Sequence, residues 1–202
     1  MRRYLWRRIK MAGKIKKKDA GTIFNPVMFL MIIVLTAQLL MLFVEYKRVA
    51  WVSGAVTDSM TDALLGACTL NETELYHYGS TDKLEILYPK EKYDVFKEIL
   101  RQELGLSTDM QVTDKSMALL TGDVHITDFA VYSVKDEDIT FYDFDDAGGY
   151  QTTRMEDMAG SYVAENGKLI ESSTLIAEIG FTVKFFGVPV DVNKYHMVDV
   201  TD

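Results

Sequence analysis

Between Asp19 and Glu45 the chain carries no charged side chain for 25 residues, Ala20 to Val44. Wound as a helix this run is about 37 Å long, against about 30 Å of bilayer hydrocarbon. A core helix of a small globular protein shows a polar face at 3.6-residue spacing. Here Met28 to Val44 is apolar all round except for Thr36 and Gln38. A cleavable signal peptide has an apolar centre of about 7–15 residues, shorter than this one. The expected object is therefore a transmembrane helix, with the bilayer as its first partner. Gln38 falls near its middle, where an amide either bonds across to a neighbouring helix or is simply tolerated as one polar residue in a long apolar run.

Charge is split around this run. Residues 1–21 hold nine bases and one acid, a balance of +8. The whole chain stands at −8, which leaves −16 for residues 22–202. Only Lys47 and Arg48 follow the run closely. The positive-inside rule places the N-terminus in the cytoplasm and the later residues outside. The basic block is thus read as a topology signal, and the acidic remainder argues against nucleic-acid binding. Cys68 is the only cysteine, so neither an internal disulfide nor a cysteine zinc site is available. The sequence Leu65-Gly66-Ala67-Cys68 resembles a lipidation box, but about twenty residues rich in charge and hydroxyls separate it from the apolar run. That separation sets it aside.

Val49, Val52, Val56, Met60, Ala63 and Ala67 follow at steps of three and four, one face of a helix. Pro26 suits a first helical turn with Asn25 as its cap. The expected helix runs from about residue 25 to 68, on the order of 65 Å. Its amphipathic outer half can pack on the protein's own domain or on a neighbouring helix, and both uses stay open here.

Further along, Pro89-Lys90-Glu91 opens a second helix with Tyr93, Phe96, Ile99, Leu100 and Leu104 on its buried face and Gly105 at its stop. Strands are expected over Val124–Val134, Asp138–Phe144 and Thr174–Phe186. In the last, Leu175, Ala177, Ile179, Phe181, Val183 and Phe185 share one face. Asn166-Gly167 signals a hairpin between residues 161–165 and 168–172. Gly187-Val188-Pro189 is read as a turn into a last strand from about Val190 to Val200. A sheet with one wet face is expected to be antiparallel, with a helix over its apolar side.

The fold class is therefore α+β: a long N-terminal transmembrane-plus-stem helix, then an extracytoplasmic domain with one helix and an antiparallel sheet. The expected divisions are a basic leader (1–21), the span (22–44), the stem (45–70) and the outer domain (71–202).

Motifs for chemistry are sparse. His77, His125 and His196 lack metal-ligand spacing, and neither a nucleophile elbow nor a phosphate loop is present. The run DFDDAGG fails the EF-hand frame, because Ala147 takes a ligand position and Arg154 stands where the closing Glu belongs. Asn71-Glu72-Thr73 is a glycosylation sequon on paper. No catalysis, cofactor or metal is expected.

The order of features is familiar. Asp19-Ala20-Gly21 precedes the span, Glu45-Tyr46-Lys47-Arg48-Val49 closes it, and a small-residue helix ends in Leu65-Gly66-Ala67. Residues 17–68 resemble the N-terminal region of TadE-like proteins, minor pseudopilins of tight-adherence (Flp-type) pilus systems. The resemblance implies peptidase cleavage after Gly21. It also implies a stem packing face of Val49, Val52, Val56, Met60 and Ala63. The implied partners are other pilin-like or secretion-system membrane subunits, or further copies of the chain through the helix. At the fifth position after Gly21, where the family has Glu, this chain has Pro26, and the span holds no acid. The alternative function is a membrane-anchored extracytoplasmic binding or sensor module.

Overall fold

A computed structural model describes residues 2–81, 84–116, 120–145, 147–164 and 167–200, with side chains described from Asn25 onward. The chain divides into two compact units, Met1–Lys47 and Arg48–Asp202. The first unit is helix throughout its described residues. It belongs to α1, which runs over Arg2–Cys68. Pro26 lies inside this helix and does not begin it, contrary to the sequence expectation. Proline lacks an N–H, so the carbonyl of residue 22 goes without its usual helical bond. Single breaks of this kind are tolerated in apolar helices.

The second unit holds the rest of α1, then α2 (Glu72–Thr81), α3 (Pro89–Glu103) and five strands. The strands are β1 (Leu120–Lys135), β2 (Asp138–Phe144), β3 (Tyr150–Met155), β4 (Thr174–Phe185) and β5 (Val188–Asp199). All pair antiparallel in the order β3-β2-β1-β4-β5. The class is α+β, as the alternating strand pattern and the long apolar helix require.

One face of the sheet packs under helices. Val52, Val56, Met60, Ala63 and Leu64 of α1 form a single core with Tyr93, Phe96 and Leu100 of α3 and with the inner residues of β1 and β4. Aromatic side chains join α3 to the sheet: the Phe129 ring lies 5.3 Å from Tyr93 and 5.1 Å from Phe96. Helix α3 ends as its sequence indicates. Gly105 takes a positive φ of 65°, and the Leu106 and Gly105 amides donate to Arg101 and Gln102 carbonyls.

Several details differ from the sequence reading. Helix α2 was not expected, because Glu74 is its one buried residue and no apolar stripe announces it. Strand β3 was not expected either. It is an edge strand with a polar, exposed sequence, Tyr-Gln-Thr-Thr-Arg-Met. The expected hairpin over 161–172 is present but short: Val163 pairs with Leu169, the Ala164 and Ile170 amides donate to the Lys168 and Tyr162 carbonyls, and Asn166 of its turn lies outside the described residues. The β4–β5 turn is Phe186-Gly187, both at positive φ, and Pro189 is already paired in β5. That is allowed because β5 is an edge strand, whose outer N–H positions need no partner. Finally, the second sheet face is not wholly wet. Residues 156–173 cross part of it and bury a small core of Ala130, Tyr132, Ile139, Ala164, Ile170 and Ile176.

Candidate functional site

Among the described residues, one helix, Asn25–Cys68, is long and apolar enough to cross a membrane. Its large apolar side chains from Val27 to Val44 are all exposed, each between 49% and 66%. Thr36 returns its hydroxyl to the Ile32 carbonyl at 2.8 Å, which hides a polar group that lipid would not solvate. Gln38 is exposed. Gly21 lies within α1.

In the second unit the same helix behaves differently. Val52, Val56, Met60 and Ala63 are 0% exposed, and Val49 packs partly buried against the same core. The five stem positions are thus occupied by the protein's own domain. The outer side of this stretch is solvent-facing, with Trp51, Asp58, Asp62 and Leu65 exposed.

Just past α1 sits a buried ion pair that sequence reading missed. Lys92 Nζ lies 2.6 Å from Glu74 Oε2, and both side chains are almost fully buried. Glu74 Oε2 also accepts from the Asn71 amide, while Glu74 Oε1 accepts from the Leu87 and Tyr88 amides. In return Asn71 Oδ1 accepts from the Glu74 amide, and Lys92 donates to the Thr69 carbonyl at 2.8 Å. This is a reciprocal capping box, legible as Asn71-x-x-Glu74. The carboxylate is saturated with donors and ties three segments together. Asn71, the sequon residue, also donates to Glu91 from its amide nitrogen at 2.9 Å.

Cys68, at the end of α1, is partly buried. Burial pushes its thiol up to about 11, partly offset by Lys92. Such a thiol is unreactive at neutral pH.

The histidines are separate. His77 Nε2 is 3.7 Å from Glu85, His125 is exposed on β1, and His196 is half-buried on β5. In the acidic turn the Asp145 carboxylate accepts from the Gly149 amide at 2.7 Å, so it is spent on the turn itself; Asp146 lies outside the described residues. Among the described residues, no three His, Cys, Asp or Glu side chains converge on a point where a metal would sit.

Concave surface among the described residues of the second unit includes two hollows. One hollow of about 660 Å³ runs beside α3, lined by Leu87, Tyr88, Val95, Ile99 and Tyr150. The other is on the open side of the sheet. There a groove of about 500 Å³ is lined by Asp128, Asp143 and Glu178 together with Tyr132, Phe141, Tyr162 and Tyr195. Burial, and then the neighbouring Tyr162, push the Tyr132 phenol up, so its ring stays neutral. This groove draws on β1, β2, β4, β5 and the 156–173 connection. No sequence window contains it.

No family model matches the chain, and neither the curated proteins nor the solved structures compared with it give a match.

Proposed function

We propose that the protein is a single-pass, membrane-anchored accessory subunit of a pilus-like or secretion assembly, acting through helix packing and not through catalysis. In this reading the basic leader stays in the cytoplasm and the acidic α+β domain lies outside. The observation that carries it is the division of labour along α1. The apolar half has no protein cover, and the outer half is the spine of a folded domain. Membrane-held pilins use such a helix: its apolar half rests in the bilayer until it packs against similar helices. The resemblance of residues 17–68 to TadE-like proteins supports the same reading.

Site-specific photocrosslinkers at Leu35, Gln38 and Leu42 test it in the native membrane. Adducts with other small membrane subunits of the assembly, or with a second copy, are the expected result. Absence of any helix adduct, with the protein missing from purified surface filaments, counts against it. Protease added outside intact cells is expected to digest residues 70–202 and spare the leader; the opposite pattern reverses the topology.

A second reading, a membrane-anchored binding module, is favoured by one observation: the aromatic and acidic groove on the open sheet face. An adduct from the groove to a soluble or envelope protein, with none from the span, selects it.

A further inference from the structure

The open sheet face concentrates one sign of charge around aromatic rings. Asp128 on β1 stands directly opposite Glu178 on β4, and Asp143 on β2 stands opposite Ala130 on β1. Side chains alternate along a strand, so all three carboxylates leave the same face. Like charges directly across a strand pair are unfavourable.

The rings add a second attraction. Tyr132 lies 4.7 Å from Phe141 and 5.9 Å from Tyr162, centroid to centroid, and Tyr195 on β5 sits opposite Glu178. Tyr132 is itself buried, whereas Tyr195 is 41% exposed, and an exposed ring face attracts ammonium and guanidinium groups. A second hollow of about 490 Å³ follows on the same face toward the β4–β5 turn, where Asp123 and Asp191 add two more carboxylates. Gly180 interposes no side chain between the two. Among the described residues, neither hollow is lined by Lys or Arg. Two adjoining hollows along neighbouring strands suit an extended occupant better than a single ion.

We propose that this face binds a basic, extended segment of a partner protein, with Arg and Lys side chains set against Tyr195 and beside the carboxylates. Charge complementarity selects this partner: residues 22–202 carry −16, and five carboxylates line these two hollows without a Lys or Arg among the lining residues. Arginine suits the site best, since it stacks on rings and bonds carboxylates in the same pose. The inference deepens the binding-module reading and rests on it. Its test uses full-length protein in detergent, so neither filament assembly nor membrane sidedness enters the result.

The probe is a fluorescently labelled, end-blocked penta-arginine peptide, followed by anisotropy at low and high salt. A penta-glutamate peptide is the control. Penta-arginine is expected to bind in a salt-sensitive manner, and penta-glutamate is not. Neutralising the groove with Asp143→Asn and Glu178→Gln together is expected to weaken binding by about tenfold or more. Tyr195→Ala is expected to weaken it by about two- to fivefold. The pair Glu103→Gln and Asp109→Asn makes the same charge change away from the groove and is expected to alter binding by less than about twofold. Thermal melts matched to the parent protein verify that each variant is folded. Equal losses in the two double variants would reduce the effect to bulk charge and overturn the proposal. So would no binding of penta-arginine, or binding of spermine or calcium ions at the groove without binding of the peptide.

Discussion

The two ends of α1 use the same kind of residue for opposite purposes. Met31 and Met60 are both apolar helix positions, yet Met31 is 64% exposed and Met60 is 0% exposed. Val34 and Val56 differ in the same way, at 49% and 0%. Around Met60 the apolar positions recur on one face and the protein supplies the cover. Around Met31 they surround the helix and stand exposed. Burial of a large side chain is worth about 1.5–3 kcal/mol. The outer half gains it from the fold; in the proposed reading the inner half gains it from lipid.

This contrast can be broken first in the span. Leu35→Arg with Leu39→Arg places two charges in the apolar run, each costing about 2.5–3.5 kcal/mol on the insertion scale. The expected outcome is loss from the membrane fraction, measured by sedimentation and blotting, with the outer domain still folded. If the variant stays in the membrane, the run is not what holds the protein there.

The next largest effect belongs at the junction beyond α1. Lys92→Met leaves the buried Glu74 carboxylate without its cation, at a cost of about 3–5 kcal/mol. Thermal unfolding in detergent reads this as a lowered midpoint, with membrane insertion unchanged. A midpoint equal to that of the parent protein would mean the pair does not anchor the stem.

Paired methionine truncations sharpen the comparison directly. Met60→Ala is expected to cost about 2–5 kcal/mol, because it opens a cavity in the core. Met31→Ala, in the same assay, is expected to stay within about 0.5 kcal/mol of the parent. Equal effects would erase the distinction between the two halves.

The smallest effect is chemical. With its thiol at about 11 against an ordinary 9.0, Cys68 in the folded protein holds about a hundredfold less thiolate at pH 8 than a free cysteine. Disulfide-exchange reagents are expected to label it correspondingly slowly until the protein unfolds. The raised value also fixes the sign of the pH dependence. The neutral thiol's contribution to stability is fully present below the unfolded value and is lost as pH rises through about 9 to 11.

How much of this was legible beforehand depends on where the determining pattern lies. The span and the stem face are written in local spacing, and so are the buried positions of α3 and β4. Helix α2 and strand β3 have no apolar period of their own: one is held by the Asn71–Glu74 box and the other by its pairing to β2. The capping box Asn71-x-x-Glu74 is present in the sequence, where it overlaps the sequon Asn71-Glu72-Thr73. The second small core needs residues 156–173 to cross the sheet, which no strand pattern announces. The groove was the least legible of all. Asp128, Asp143, Glu178 and Tyr195 belong to four strands and meet only through sheet register.

The central claim is that lipid covers the inner half of α1. Full-length protein mixed with phospholipid vesicles, washed in alkaline carbonate and floated on a density gradient, tests it most directly. The account predicts that the protein rises with the vesicles and is released only by detergent. A monomer that stays in the dense aqueous fraction, folded and without detergent, would contradict it.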